Sequence, residues 1–423
     1  MPTQPLGGKA RESVRQATAR GNLWEGAVRS SKTVSSIVRW LKYVRNGPPG
    51  ALLMVGKTER TLKRNIIDPI QAMVGVKRCR FKVGVGELEL FGRTIYVVGA
   101  NDERSSDKIK GLTLSGAYCD ELTTYPESFF SMLTTRLSVP GAQWFATTNP
   151  EGPGHWVKKK YVDRAKLRIT RDGQIVRSDD PTALDLHTFA FQLADNPTLP
   201  AAYVEELKRE YVGLFYRRYV LGEWCLAEGV VYDMWDPDKH VVTTAQMPAI
   251  SRHIALGIDY GTVNPFAGLL LGLGADQRLY LTNEYRYDSK AQRRSLTDAE
   301  YSRELTLWLD KLQVFPEWTA VDPSAASFVQ QLYRDGRVTP TLANNSVIDG
   351  IRQLSSLLAT DRLRVHDSCK GWIEEIPGYS WDPKKALRGE DAPIKVGDHS
   401  LDAGRYAVHT TEAIWHGQLK EAA

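Results

Sequence analysis

The chain has 423 residues, enough for two or three domains, and its 42% apolar and 25% charged content is that of an ordinary soluble globular protein. No apolar run approaches the ~20 residues of a membrane span, and the polar, basic stretch from Met1 to Arg20 lacks the apolar core of a secretory signal. A net charge of +5 permits a polyanionic partner without demanding one, and the dispersed Cys79, Cys119, Cys225 and Cys369 argue for a reducing compartment and against structural zinc.

Residues 1–20 are expected to form a flexible basic arm carrying Arg11, Arg15 and Arg20. A short strand over Asn22–Trp24 would then feed Glu25-Gly26-Ala27-Val28-Arg29-Ser30-Ser31-Lys32-Thr33. Gly26 and the pair Lys32-Thr33 stand at the spacing of a phosphate-binding loop. Such a loop turns backbone N–H groups toward phosphates and brings a lysine to the β and γ oxygens. It also offers a hydroxyl to Mg²⁺ and opens a helix whose positive end faces the anion. Ser31 stands where the pattern has its second glycine, and serine enters left-handed backbone less readily. A basic, serine-rich turn is the alternative. The helix from Thr33 should end at Asn46-Gly47-Pro48-Pro49-Gly50, followed by a buried strand at Ala51–Val55, a helix over Thr61–Val74 and a strand at Arg93–Val98.

Leu112–Cys119 reads as a strand ending in Asp120-Glu121. In a phosphate-loop enzyme the first acid holds the Mg²⁺ shell and the second polarises the attacking water. A solvated turn or helix cap would carry the same pair; the loop upstream favours the nucleotide reading. A helix opened by Tyr125-Pro126-Glu127 precedes a strand at Gln143–Thr147, whose polar end Thr147-Thr148-Asn149-Pro150 could sense the γ-phosphate or simply turn. This alternation predicts an α/β domain over 21–150 with a mostly parallel sheet covered by helices on both faces. Arg104, Lys110 and Arg136 are possible stabilisers of transferring charge. Residues 151–245 read as a linker subdomain. Its basic part (Lys158, Lys159, Lys160, Arg164, Lys166, Arg168) suits a phosphate backbone or plain solvent. Its aromatic part, Tyr211–Trp224, suits base stacking or core packing.

Residues 246–423 read as a second α/β domain. Strands at His253–Asp259, Phe266–Leu273 and Leu279–Tyr285 form an antiparallel meander, and a later strand, Trp318–Val321, ends in Asp322. Asp259 and Asp322 thus lie at strand ends, while Asp398 and Asp402, four apart, share one helix face. Acids gathered in one pocket repel unless cations sit between them. Two divalent ions ~4 Å apart would satisfy them and clamp the attacking and leaving oxygens of a phosphodiester. His399 could be an outer ligand or proton carrier. Unrelated helix caps and strand ends are the alternative. The order of the acids is that of ribonuclease-H-like nucleases.

A phosphate-loop domain followed by a ribonuclease-H-like nuclease domain resembles the large terminase subunit of tailed bacteriophages. The resemblance spans roughly residues 22–410. It rests on the Arg29-bearing loop, Ser115–Glu121, Thr147–Pro150, Asp195-Asn196-Pro197 with Gly222-Glu223-Trp224, Asp259-Tyr260-Gly261, Asp322-Pro323-Ser324 and Asp398–Tyr406. It implies an ATPase in which Gly26, Arg29, Ser30, Ser31, Lys32 and Thr33 bind nucleotide, Thr33 and Asp120 hold Mg²⁺ and Glu121 activates water. Thr147, Thr148 and Asn149 would couple hydrolysis to DNA movement. It also implies an endonuclease in which Asp259, Asp322 and Asp402, with Asp398, bind Mg²⁺ or Mn²⁺. The implied role is ATP-driven packaging of double-stranded DNA into a prohead and cleavage of concatemers. The implied partners are a small terminase subunit and the portal, with a pentameric ring formed on assembly. The implied location is the cytoplasm of the infected bacterium, docked on the prohead and absent from the mature virion. A repair-type helicase–nuclease, or a DNA-binding scaffold with a decayed phosphate loop, are the alternatives.

Overall fold

The computed structural model describes residues 6–82, 84–261 and 264–420. The chain forms two compact units. The first comprises Met1–Val204, Tyr216–Leu226 and Leu387–Glu390, and the second Glu205–Phe215, Ala227–Ala386 and Asp391–Ala423. Among the described residues no helix is long and apolar enough to cross a membrane, and all four cysteines are buried free thiols.

The first unit is built on a 10-stranded sheet. Its strands are β1 (Gly21–Gly26), β2 (Ala51–Gly56), β3 (Cys79–Lys82), β4 (Glu87–Leu90), β5 (Arg93–Gly99), β6 (Leu114–Cys119), β7 (Gln143–Thr148), β8 (Ala165–Ile169), β9 (Ile175–Arg177) and β10 (Leu184–Phe191). They lie in the order β3-β4-β5-β2-β6-β7-β1-β10-β8-β9. The run from β5 to β8 is parallel, with antiparallel strands only at the two edges. The central strands are buried on both faces, which is why they read as near-continuous apolar runs. Leu52 and Met54 join one core cluster with Trp24, Trp40 and Phe145; Leu53 and Val55 join the other with Phe130 and Trp144. The α/β class with helices on both faces is as expected.

Three expectations change here. The arm is folded from Gly8: a helix over Gly8–Gln16 buries Ala10, Ser13 and Val14. Ser13 Oγ accepts the Trp24 indole N–H at 2.9 Å, and Lys9 pairs with Asp195 at 2.7 Å; Met1–Pro5 lie outside the described residues. The stretch 151–245 is not a separate linker, because β8, β9 and β10 extend the first sheet, with β10 beside β1. The predicted helix over Thr61–Val74 is interrupted by a π-helical stretch at Lys63–Ile67.

The second unit holds a 7-stranded sheet in the order β11-β17-β14-β13-β12-β15-β16. These strands are β11 (Val241–Val242), β12 (Ile250–Asp259), β13 (Phe266–Gly274), β14 (Leu279–Tyr287), β15 (Trp318–Val321), β16 (Pro340–Leu342) and β17 (Leu363–His366). β12, β13 and β14 form the antiparallel meander, and β15 runs parallel to β12. The helix His399–Thr410 packs across β12 and β13. It comes so close because Gly257 has no side chain: a Cβ there would meet Ala403 O at 2.0 Å. That contact brings the helix carrying Asp402 against the strand carrying Asp259.

Candidate nucleotide cleft and acidic cluster

β1 ends at Gly26, whose φ of +131° turns the chain off the sheet. Arg29 (φ 55°) and Ser31 (φ 71°) then adopt left-handed backbone, and Ser31 is the N-cap of the helix Lys32–Asn46. The serine therefore holds the conformation that glycine would adopt without strain. Lys32 is buried; its Nζ donates to Ala27 O at 2.8 Å and to Asn149 Oδ1 at 2.7 Å. Burial lowers its pKa to about 8, against the opposing pull of Glu121 and Asp120.

β6 delivers Asp120 and Glu121 to the same place. Asp120 is buried, and burial, reinforced by Glu121, raises its pKa to about 6. Thr147 Oγ1 donates to Asp120 Oδ1 at 2.8 Å and accepts the Glu121 N–H at 3.2 Å. Thr148 Oγ1 accepts from Thr123 N at 3.3 Å. The cleft, about 1320 Å³, gathers Arg29–Thr33, Asp120, Glu121 and Thr147–Asn149, with an apolar wall that includes Ile37, Leu41 and Met73. Such a wall suits a base beside a phosphate-binding mouth.

Arg104, Lys110 and Arg136 are not among the residues that line this cleft. Lys110 instead pairs with Asp107 at 2.5 Å, and Arg104 lies exposed on the same 3-10 turn. Arg11, Arg64 and Asn65 do line it, and Asn65 is near enough to Asp120 to oppose the rise in its pKa. The π-helical stretch carries Arg64 and Asn65, and nothing in the local sequence marks it. Asn196 closes the loop from outside, donating to Arg29 O at 2.6 Å. Of the basic stretch after Gly152, Lys158 pairs with Asp163 and Lys160 with Glu127.

In the second unit the acids converge. Burial raises the Asp259 pKa, with Asp402 and Asp322 adding to it and the hydrogen bond from His399 opposing. His399 Nδ1 lies 2.9 Å from Asp259 Oδ2, and that bond raises the imidazole's pKa. Asp322 is half-buried and accepts the Ser324 N–H at 2.8 Å. Asp402 is held by cations on both sides. Arg405 reaches Oδ1 at 2.8 Å and Lys395 reaches Oδ2 at 2.7 Å, with Lys395 also 3.0 Å from Asp398 Oδ2. Burial works against the Lys395 charge, but Asp402 and Asp398 outweigh it and raise its pKa. Lys395 was missed in the sequence, although it lies only three residues before Asp398.

Among the described residues no group of three or more His, Cys, Asp or Glu side chains is arranged to hold a metal ion. The chemistry of the donors nonetheless fits a hard divalent cation: they are carboxylate oxygens, and the buried Asp398 Oδ2 faces the Lys395 ammonium at 3.0 Å, a cation the chain itself supplies. Below them, Glu375 Oε2 accepts the N–H groups of Ser400 (2.7 Å) and Leu401 (3.1 Å) at the start of the acid-bearing helix.

These two sites can be set beside known proteins. The family described as terminase large subunit, T4likevirus-type, N-terminal, matches residues 10–235. The chain belongs to the terminase large subunits. The large terminase of a thermophilic bacteriophage is 34% identical, with a TM-score of 0.85 over 97% of this chain and 99% of that one. The same thermophilic-phage protein in complex with ADP gives 35% identity and a TM-score of 0.82 over 95% and 98%; its ATP-γ-S complex gives 34% and 0.82 over 96% and 99%. The large terminase subunit of Escherichia phage T5 is 24% identical over 295 residues, 67% of this chain and 62% of the T5 protein. The likeness to the thermophilic phage's terminase covers both units, so a phosphate-loop ATPase fold followed by a ribonuclease-H-like nuclease fold describes the whole chain.

Proposed function

We propose that this terminase hydrolyses ATP to move double-stranded DNA into a prohead, and cuts concatemeric DNA with a metal-dependent endonuclease. The observation that carries this reading is the position of buried Lys32. It lies between a phosphate-loop carbonyl and Asn149 of the coupling strand, within electrostatic reach of Asp120 and Glu121. The complexes of the thermophilic phage's terminase with ADP and ATP-γ-S support a nucleotide in the corresponding cleft.

In this reading Gly26–Ser31 wrap the phosphates, the Lys32 ammonium leaves Ala27 O and Asn149 for their oxygens, and Thr33 and Asp120 take Mg²⁺. Glu121 orients the attacking water. Thr147 bonds Asp120 and Asn149 bonds Lys32, so a change at the γ-phosphate is felt at the end of β7. In the second unit Asp259, Asp322, Asp398 and Asp402 would hold Mg²⁺ or Mn²⁺, two ions as the resemblance implies. The metal supplies positive charge at the phosphodiester under attack. His399 shares a proton with Asp259 and keeps that carboxylate oriented. The partners are a small terminase subunit and the portal, in a pentameric ring assembled on the prohead in the host cytoplasm.

The test is plasmid cleavage with Mn²⁺ by wild type and Asp322→Ala, with ATPase followed in the same preparations. Wild type should nick or linearise DNA, the variant should not, and the ATPase should be similar in both. Lys32→Ala should show the reverse pattern. If Asp322→Ala still cuts, the acid cluster is not the nuclease; if Lys32→Ala still hydrolyses ATP, the cleft is not the ATPase.

A further inference from the structure

Behind the phosphate loop lies a segment with no part in the chemistry above. Tyr216–Leu226 packs as part of the first unit and runs on, at Ala227, into the second. The Val28 N–H of the phosphate loop donates to Tyr219 O at 2.8 Å. Gly222, at φ +69°, sits where a Cβ would stand 2.9 Å from Ala27 N. The Trp224 indole donates to Glu25, the buried residue just before Gly26. A further link runs to the coupling strand. Arg218, only 1% exposed, donates to Cys225 O at 2.7 Å and to Glu151 Oε2 at 3.1 Å. Glu151 follows Asn149, the Lys32 partner, across the fixed φ of Pro150.

Burying a guanidinium is costly unless it is paired and hydrogen-bonded. This one does not line the nucleotide cleft. Its charge instead holds Cys225 O, near the end of the segment, to the residue two beyond the coupling asparagine. We propose that Arg218 is a positioning residue: paired with Glu151, it clamps Tyr216–Leu226 to the end of the coupling strand, so that movement of Asn149 on nucleotide binding reaches the segment leading into the nuclease unit. This rests on the ATPase reading above.

Amide hydrogen exchange on the full chain, with no nucleotide and with Mg²⁺ plus ATP-γ-S, tests it in wild type, Glu151→Gln and Arg218→Lys. In wild type the nucleotide should slow exchange about tenfold or more both in the phosphate loop and in 216–226. Glu151→Gln keeps the shape of the side chain and removes its charge. It should keep loop protection and nucleotide KM while 216–226 loses its response, and kcat should fall. Arg218→Lys, which retains the charge, should restore part of the response. A wild-type segment blind to nucleotide, or one that responds equally in Glu151→Gln, overturns the proposal. Absence of loop protection in wild type would instead bring down the ATP-site reading and the relay with it.

Discussion

Asp120→Asn is the sharpest probe of the nucleotide cleft. Burial and Glu121 raise the carboxyl pKa from 3.8 to about 6 in the folded chain. A carboxyl whose folded pKa exceeds its unfolded one favours folding only while it is protonated. Stability is therefore lost as pH rises from 3.8 through about 6 and is level above that. Linkage puts the cost at about 1 to 2 kcal/mol at pH 5 and about 3 kcal/mol at pH 7.5. Asparagine removes the charge and can still accept from Thr147, at the price of re-pairing its amide. The nucleotide-free variant should be more stable than wild type by about 2 to 3 kcal/mol at pH 7.5 and by about half that at pH 5. For a domain of this size that raises the melting temperature of the first unit by about 4 to 12 °C. Differential scanning calorimetry across pH 5–8 reads it. Mg²⁺ with ATP-γ-S should then raise the wild-type transition and leave the variant nearly unmoved, because stabilisation by a ligand follows its affinity. A variant no more stable than wild type at pH 7.5, or an advantage that grows toward pH 5, would refute the argument that desolvation sets the state of Asp120.

Other outcomes follow from the same geometry. Glu121→Gln should bind nucleotide as wild type does and lose about 10²-fold or more in kcat, read by single-turnover hydrolysis; retained turnover would move the base elsewhere. Lys395→Ala leaves Asp398 and Asp402 short of a partly exposed cation. It should lower the second unit's melting temperature in EDTA through about 1 kcal/mol, and Mn²⁺ should then stabilise the variant more than wild type. A Mn²⁺ response equal to wild type would mean that lysine and metal do not compete. Ser31→Gly relieves left-handed strain of about 1–2 kcal/mol but frees the unfolded chain by about 0.5–1 kcal/mol. Net stability should shift by less than about 1 kcal/mol and ATPase should persist; loss of turnover would show that the hydroxyl has a role the backbone does not explain.

What could be read in the sequence was what is local. The phosphate loop, the Asp120-Glu121 strand end and the Thr147–Asn149 strand end each announce themselves within ten residues, because a strand buried on both faces is an apolar run and its polar end stands out. Asp259 and Asp322 stand out for the same reason, while Asp402 was marked by its four-residue spacing from Asp398. What was not legible depends on pairing across the chain. β8 (Ala-Lys-Leu-Arg-Ile) alternates buried and partly exposed positions and looks like basic linker until β10 places it in the sheet. The helix Gly8–Gln16 buries only Ala10, Ser13 and Val14, too narrow a stripe to distinguish from a polar arm. Arg64 and Asn65 reach the cleft through a π-helical stretch that no periodicity marks.

The two sites share a physical device. Each gathers carboxylates at the ends of buried strands, joined in the second unit by a helix, and sets a cation of the chain's own beside them: Lys32 within reach of Glu121 and Asp120, Lys395 and Arg405 against the helical Asp402. A cluster of like charges without such a partner would repel itself and disfavour folding. The internal cation lets the apo site fold with its acids assembled. In the nucleotide cleft it also prescribes the order of exchange. When Lys32 turns to the phosphates, Asp120 and Glu121 lose its compensation and face an added anion. Mg²⁺ then has to enter with the nucleotide, and ATP presented with EDTA should bind far more weakly than MgATP. If affinity proved independent of Mg²⁺, Lys32 would not be the charge that holds Asp120 and Glu121 together.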